Sequence, residues 1–279
     1  MSQRLRQEKL KVISGDSINP ACYRLVLTGG AIAPAACPGQ FVMVKVTDGT
    51  APLLRRPLGI HSVKNGRLSV LYEVVGEGTR ALSACKPGEY LDVIGPLGNG
   101  FDPDVRRDTP CVILVAGGIG VAPLVFLAEK LAADARRKIY VFMGARTKNH
   151  ILCKKEFKNL GCEVKVATDD GSCGFRGLVT ALLSDYLRTT PACRRGRDFG
   201  LPTMYACGPP AMLAGVASLS ARHHLCAYGS FEAHMACGIG ACMGCVIKIR
   251  DHSSGEPSGF VYKRVCKDGP VFPLNQVVF

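Results

Sequence analysis

The sequence predicts three modules: an N-terminal antiparallel β-barrel over residues 1–104, a parallel α/β sheet over 105–228, and a compact cysteine module over 229–279. Three observations carry this. Roughly the first hundred residues read as short β-prone runs cut by Gly and Pro clusters, with no long amphipathic helix. The middle alternates apolar strands with helices, the pattern of a parallel sheet. Near the end stands Cys237-Gly-Ile-Gly-Ala-Cys242-Met-Gly-Cys245, with Cys266 beyond it.

Length and composition fit this division. A chain of 279 residues accommodates more than one core. It is 47% hydrophobic and 20% charged, as folded domains are. No apolar run approaches the roughly 20 residues of a membrane span. The opening MSQRLRQEKLKV has neither the apolar core nor the small-residue cleavage site of a secretory signal. Fourteen cysteines without such a signal read as free thiols plus a metal site in a reducing compartment, the cytoplasm. Those outside the C-terminal set are scattered singly and read as small apolar residues. The net charge of +13 is dispersed and has few aromatics among it, which argues against nucleic acid. A solubilising surface or docking to an acidic protein partner remains.

In the barrel, the β-prone runs are 11–14, 23–28, 40–47, 67–75 and 90–94, many alternating with period two. Two intervening segments can carry chemistry. In Arg55-Arg56-Pro57-Leu58-Gly59-Ile60, an Arg at a strand start can grip a diphosphate as a bidentate fork, and Pro57 fixes the backbone beside it. In Val75-Gly76-Glu77-Gly78-Thr79-Arg80, Thr79 can offer an amide and a hydroxyl to an anion if a helix starts there. Each segment alone equally fits an ordinary turn.

The second module opens with Cys111-Val-Ile-Leu-Val-Ala116, an apolar run expected of a strand buried on both faces. It leads into Gly117-Gly118-Ile119-Gly120-Val121-Ala122-Pro123 and a helix over 124–133, whose N-terminus suits phosphate. Strands at 138–143, 163–168 and 203–207 alternate with helices at 151–160, 178–187 and 211–223. Ligands of such sheets sit beyond the strand C-terminal ends. Here those ends carry Gly117, Gly118 and Gly120, then Gly144 to Arg146, then Asp169 to Gly171, then Cys207, Gly208 and Pro209. Pro123 occupies the third glycine position of the dinucleotide fingerprint, so the glycine turn alone is a weak signal. Asp169 or Asp170 can bond a ribose hydroxyl, which favours NADH, whereas Arg146 suits a 2′-phosphate. Segment 189–202 reads as a surface insertion without assigned function.

The cysteine spacing is C-x4-C-x2-C with a distant fourth Cys, the plant-type spacing of a 2Fe–2S cluster. Gly238, Gly240 and Gly244 between the ligands permit a tight loop with amides aimed at sulfur. Four cysteines also make a structural zinc site, so the local pattern leaves zinc open. His234 lies outside the ligand spacing.

Together, Leu53-Leu-Arg-Arg-Pro-Leu58, Gly76-Glu-Gly-Thr79-Arg, Gly95-Pro-Leu-Gly-Asn-Gly-Phe101, Gly117 to Pro123, Met235-Ala-Cys-Gly-Ile-Gly-Ala-Cys242 and Cys266-Lys-Asp-Gly-Pro-Val-Phe272 resemble the ferredoxin–NADP reductase superfamily. Within it, essentially the whole chain is similar to the electron-transfer subunits of class 1B dihydroorotate dehydrogenase. The resemblance implies an FAD-binding barrel, a nicotinamide-binding sheet and a C-terminal 2Fe–2S module. It assigns Arg56, Pro57, Leu58, Gly59, Leu71, Tyr72, Glu73, Gly78 and Thr79 to the flavin. Gly117, Gly118, Gly120, Asp169, Cys207, Gly208 and Pro209 fall to NAD(H), and Cys237, Cys242, Cys245 and Cys266 to the cluster. It further implies a relay between NADH and the FMN of a dihydroorotate-oxidising catalytic subunit, in a cytoplasmic heterotetramer of two of each, in pyrimidine biosynthesis. No side chain of this chain is named as a catalytic acid or base. The alternative is the small subunit of an NADPH-dependent ferredoxin oxidoreductase or sulfide dehydrogenase complex, where Asp generally takes the position of Cys237. Two departures stand out. The family usually carries Ser or Thr at Gly59, and polar residues 251–259 read as a hairpin extension between Cys245 and Cys266.

Overall fold

The computed structural model describes residues 5–47, 49–103, 109, 111–135, 137–189, 201–251 and 259–279. Strands β1 (Arg6–Ser17), β2 (Cys22–Thr28), β3 (Phe41–Val44), β4 (Arg56–Lys64), β5 (Arg67–Glu73) and β6 (Tyr90–Leu97) close into an antiparallel barrel of order β1-β2-β5-β4-β3-β6. Alternate residues point inward. Leu10, Val12, Leu25, Leu27, Val42, Val44, Leu58, Ile60, Leu68 and Val70 form its core. The sequence marks a strand start at Arg55–Ile60 but gives no β-prone run for the rest of β4, because Pro57 and Gly59 lower its β propensity. Burial of Leu58 and Ile60 decides the matter. A short helix, α1 (Glu77–Ser83), links β5 to β6.

The second layer is a sheet of β7 (Cys111–Gly117), β8 (Lys138–Ala145), β9 (Glu163–Thr168), β10 (Phe175–Arg176), β11 (Thr203–Cys207) and β12 (Cys226–Ser230), all paired in parallel in the order β10-β9-β8-β7-β11-β12. Helices α2 (Val121–Leu131), α3 (Lys154–Asn159), α4 (Val179–Thr189) and α5 (Pro210–Arg222) cover it, with one apolar cluster on each face. Helix α3 is shorter than the 151–160 expected: Cys153 takes a left-handed φ of 60° and blocks extension toward Ile151. Neither β10 nor β12 was expected from the sequence.

After the sheet, β13 (Val246–Arg250) and β14 (Phe260–Arg264) pair as a two-stranded ribbon. Then β15 (Val271–Pro273), from the C-terminal module, returns and adds to β12 antiparallel, so the expected parallel sheet gains an antiparallel edge. The cause is connectivity: the C-terminal module needs a strand edge, and β12 offers one. Residues 190–200 of the insertion and 252–258 of the hairpin extension lie outside the described residues. Among the described residues, no helix is long and apolar enough to cross a membrane.

The barrel meets the sheet layer through α2, whose Phe126 enters the barrel core. Charged side chains surround that contact. His61 Nε2 lies 3.0 Å from Glu156 Oε2, Arg24 pairs with the other Glu156 oxygen, and Lys64 Nζ lies 2.6 Å from Glu129. Burial would raise the pKa of Glu156, but His61 and Arg24 outweigh it and hold the carboxyl down at about 2. A depressed acid stabilises the fold above its unfolded value and loses that contribution as pH falls through its folded value. We therefore expect Glu156→Gln to cost about 1–3 kcal/mol at neutral pH. Its acid unfolding should lose sensitivity between about pH 4.5 and 2 relative to the wild type. Denaturant titrations at stepped pH measure both.

Candidate functional site

Two cavities open between barrel and sheet. The first, about 510 Å³, is lined by Arg56, Pro57, Leu58, Gly59, Leu71, Tyr72, Glu73 and Thr79 from the barrel, and by Cys207 and residues 230–235 opposite. The second, about 630 Å³, is lined by Gly117, Gly118, Gly120, Arg146, Asp169, Gly208 and Pro209 at the strand ends of the sheet. Both volumes are in the range of cofactor sites. The cavities share Glu73, Val75, Ile119 and Glu232, so a ligand in one touches a ligand in the other.

On the barrel side, Pro57 and Gly59 alternate outward from the core-facing Leu58 and Ile60. The Arg56 guanidinium folds back over Gly78, where any Cβ would overlap it, and bonds the Leu54 carbonyl. Gly78 therefore does not line the cavity; it makes room for Arg56. The Thr79 hydroxyl accepts from the amides of Val75 (3.0 Å) and Gly76 (3.2 Å) and donates to the Gly76 carbonyl (3.1 Å). That closes the turn before α1 and leaves the backbone amide, not the hydroxyl, for an anion. A Cβ on Gly59 would meet nothing within 4 Å, so the hydroxyl usual in related chains has room here.

On the sheet side, the glycine turn crosses under the end of β11. A Cβ on Gly120 would fall inside the Cys207 backbone, which makes glycine obligatory there. The two acidic candidates separate. Asp170 accepts from the Ser172 amide (2.9 Å) and hydroxyl (2.6 Å) and is spent on the turn, bonds that lower its pKa. Asp169 lines the cavity, as does Arg146.

Glu232, absent from the expected site, stands at the junction of both cavities. Burial raises its pKa and the charge of Glu73 adds to the rise. Cys207 beside it is also pushed up, first by full burial and then by Glu232. The signal in the sequence was an acid after an apolar strand, at the C-terminal edge where open sheets bind ligands. Without β12 recognised as a strand, that edge was invisible.

The cysteines gather on the far side of the residue 230–235 wall. Gly238 (φ 69°) and Gly240 (φ 86°) turn the loop, whereas Gly244 keeps negative φ and the third left-handed residue is Met243 (φ 58°). The Cys242 amide lies 3.4 Å from Cys237 Sγ, the Gly244 amide 3.5 Å from Cys242 Sγ, and the Cys266 amide 3.4 Å from Cys245 Sγ. Burial pushes the Cys237 thiol up, but the amides of Cys242, Ile239 and Ala241 and the Cys242 thiol bring it down to about 6. Cys266 moves the other way, to about 12, through burial and then the neighbouring Cys245 and Cys237. Cys245 and Cys266 are buried against Phe41, Met43 and Leu97 of the barrel, and Cys242 is exposed. Arg264 grips Asp268 and donates to the Gly240 carbonyl (3.0 Å), while Asn99 donates to the Lys267 carbonyl (3.0 Å). These bonds tie the two halves of the cysteine set together. Soft donors backed by inward amides, with no hard ligand among them, suit an iron–sulfur cluster.

Comparison with known proteins agrees with this chemistry. Residues 232–278 match the model of the iron–sulfur cluster binding domain of dihydroorotate dehydrogenase B, and residues 114–218 match the oxidoreductase NAD-binding domain. The chain is 40% identical over 277 residues to the electron transfer subunit of dihydroorotate dehydrogenase B (NAD(+)) of Bacillus cereus (strain G9842), covering 98% of this chain and 99% of that one. The Bacillus mycoides (strain KBAB4) counterpart is 40% identical over 276 residues, with the same coverage. Among solved structures, an NADH-dependent reduced ferredoxin-NADP oxidoreductase superposes with a TM-score of 0.79 at 28% identity, over 100% of this chain and 91% of that one. A ferredoxin NADP+ reductase from Neisseria gonorrhoeae, solved with bound FAD and NADP, shares the fold, with a TM-score of 0.65 at 14% identity over 78% and 91%.

The glycines give a direct test of the cavity walls. We expect Gly120→Ala to lower stability by about 1–3 kcal/mol through its collision with Cys207, and Gly59→Ser to stay within about 0.5 kcal/mol of wild type. Thermal melting of both variants distinguishes a crowded wall from an open one.

Proposed function

The chain belongs to the family of dihydroorotate dehydrogenase B electron transfer subunits, and on that premise we propose how its residues pass electrons between NADH and a catalytic partner subunit. It is an oxidoreductase subunit with an NAD-binding and an iron–sulfur-binding region. We assign the boundaries 1–104 to an FAD barrel, 105–228 to the NAD(H) sheet and 229–279 to the 2Fe–2S module. The reading rests above all on the shared wall of the two cavities, with Met235 at the edge of one and Cys237 two residues beyond.

FAD and the cluster, when bound, supply hydride exchange with nicotinamide and its conversion to single-electron steps. The chain's residues do the positioning. Arg56, folded over Gly78, faces the diphosphate of FAD, and the Thr79 amide adds a donor. Pro57, Leu58, Gly59, Leu71, Tyr72 and Glu73 line the flavin ring. Gly117, Gly118 and Gly120 let the dinucleotide backbone approach the N-terminus of α2, beside Cys207, Gly208 and Pro209. Asp169 accepts from a ribose hydroxyl, the feature that favours NADH over NADPH. Glu232, at the junction of the two cavities, presents its carboxyl to the carboxamide of nicotinamide. Cys237, Cys242, Cys245 and Cys266 hold the cluster, with Cys245 and Cys266 toward the barrel and Cys242 toward solvent.

That exposed side is where the partner docks. We propose that the partner carries FMN, oxidises dihydroorotate to orotate in pyrimidine biosynthesis, and assembles with this chain as two of each. The described cysteines are free thiols, which fits a reducing compartment such as the cytoplasm. Cys237 sits where an NADPH-dependent ferredoxin oxidoreductase generally has Asp, which favours the dihydroorotate partner.

Two outcomes are expected. NADH reduces the holo-chain with a kcat/KM at least tenfold above that for NADPH; parity would favour the ferredoxin-oxidoreductase reading. Cys242→Ser keeps NADH-to-dye turnover within about twofold, because that path ends at the flavin, but lowers transfer to the catalytic subunit by at least about a hundredfold, a barrier of some 2.7 kcal/mol. Equal loss of both at equal flavin content would sink the relay.

A further inference from the structure

The functional assignment leaves one buried polar cluster unused. His61 lies on β4, two residues beyond Gly59 and on the same outward face, with its side chain 2% exposed. Its Nδ1 lies 3.2 Å from the Ala122 carbonyl and its Nε2 3.0 Å from Glu156 Oε2. A carbonyl and a carboxylate only accept, so a ring N–H that faces either partner donates to it. The second Glu156 oxygen is held by Arg24 of β2, which keeps the carboxylate ionised.

Each of these contacts leads to a cavity wall. Gly59 and Ala122 line the barrel-side cavity, and Ala122 follows directly on the glycine turn of the other. Glu156 sits on α3, and the segment just before α3 supplies His150 and Leu152 to the sheet-side cavity. Asn19 of the barrel donates to the Asn149 carbonyl at 3.3 Å and steadies the same segment. One imidazole thus joins three separate stretches of backbone that surround both cavities.

We propose that His61, clamped by Glu156, is a positioning residue that sets the nicotinamide wall against the flavin-lining strand; the inference rests on the assignment of these cavities to FAD and NAD(H). Misplacement of reacting groups by about 1 Å can cost on the order of a hundredfold in rate, so a contact outside the cavities can govern the reaction between them. His61, Cys153 and Glu156 also bring three donor atoms within 4.8 Å of one another. The Arg24 guanidinium already supplies the cation that Glu156 requires, so the cluster reads as a clamp and not as a metal site.

The test uses the full chain loaded with FAD and its cluster, as wild type, His61→Gln, Glu156→Gln, the double variant and Lys64→Met. The last removes the other ion pair between the layers, Lys64–Glu129, and touches neither cavity. The readouts are FAD content, melting temperature, calorimetric binding of NAD+, the long-wavelength absorbance of stacked nicotinamide and flavin, and the single-turnover rate at saturating NADH. The positioning role predicts that His61→Gln and Glu156→Gln keep full FAD content, lose most of the stacking band and slow the single turnover at least tenfold. Because they act as one unit, the double variant should be no worse than the slower single, and Lys64→Met should match wild type. Because Glu156 is reached from the partly exposed side, its variant tests the proposal even if His61→Gln fails to fold. Unchanged rate and stacking band in a folded Glu156→Gln would overturn the proposal, as would an equal defect in Lys64→Met. Stoichiometric zinc in the wild type that His61→Gln releases would overturn it in favour of a metal site. A wild type that holds no flavin and binds no NAD+ would remove the cavity assignment itself, and the proposal with it.

Discussion

The close approach of Gly120 to the end of β11 is the constraint on which the site depends. With no side chain at Gly120, the glycine turn lies directly beneath the Cys207 carbonyl. That contact draws the N-terminus of α2 under the strand edge and makes Ile119 a wall of both cavities. It also carries Ala122 to the barrel face, where its carbonyl meets His61. A larger residue would push α2 outward and part the wall that the two cavities share. Strand, turn and helix are therefore fixed together: the fully apolar β7 sets the turn, and the turn sets the helix that docks on the barrel.

The cysteine loop shows a second constraint, electrostatic in nature. A thiol must lose its proton to bind a metal, and the loop treats its thiols unequally. Cys237 is drawn toward the thiolate by amides that surround it, whereas Cys266 is held protonated by burial and by its neighbouring sulfurs. Metal insertion supplies the missing positive charge, so the last protons leave as the metal arrives. The Arg264–Asp268 pair and its bond to the Gly240 carbonyl keep the loop and the Cys266 turn together throughout. The cysteine geometry is thus held by the hydrogen bonds of the chain itself.

Much of this was legible in the residues. The barrel, the α/β alternation and the ligand spacing all depend on local signals: period-two runs, apolar strands and fixed cysteine gaps. What escaped was non-local. Strand β4 hides behind Pro57 and Gly59, and only the burial of Leu58 and Ile60 reveals it. Strands β12 and β15 are short: β12 is held along its length by β11, and β15 is a strand because β12 offers it an edge. Glu232 follows β12, so missing the strand meant missing the acid. Thr79 shows the converse: its residue type suggested an anion ligand, but its hydroxyl is consumed in closing its own turn.

The cysteines of the loop differ in their surroundings. Buried Cys245 and Cys266 lie against barrel strands β3 and β6. Exposed Cys242 faces outward, between Ile239 and Met243, which are themselves 43% and 51% exposed. Large apolar side chains beside a redox centre are costly to leave in water unless another surface covers them. The loop also holds Met243 at a positive φ, a conformation that L side chains rarely adopt. Exposed Cys242 and its exposed apolar neighbours therefore form one surface patch, of the kind that another protein surface covers.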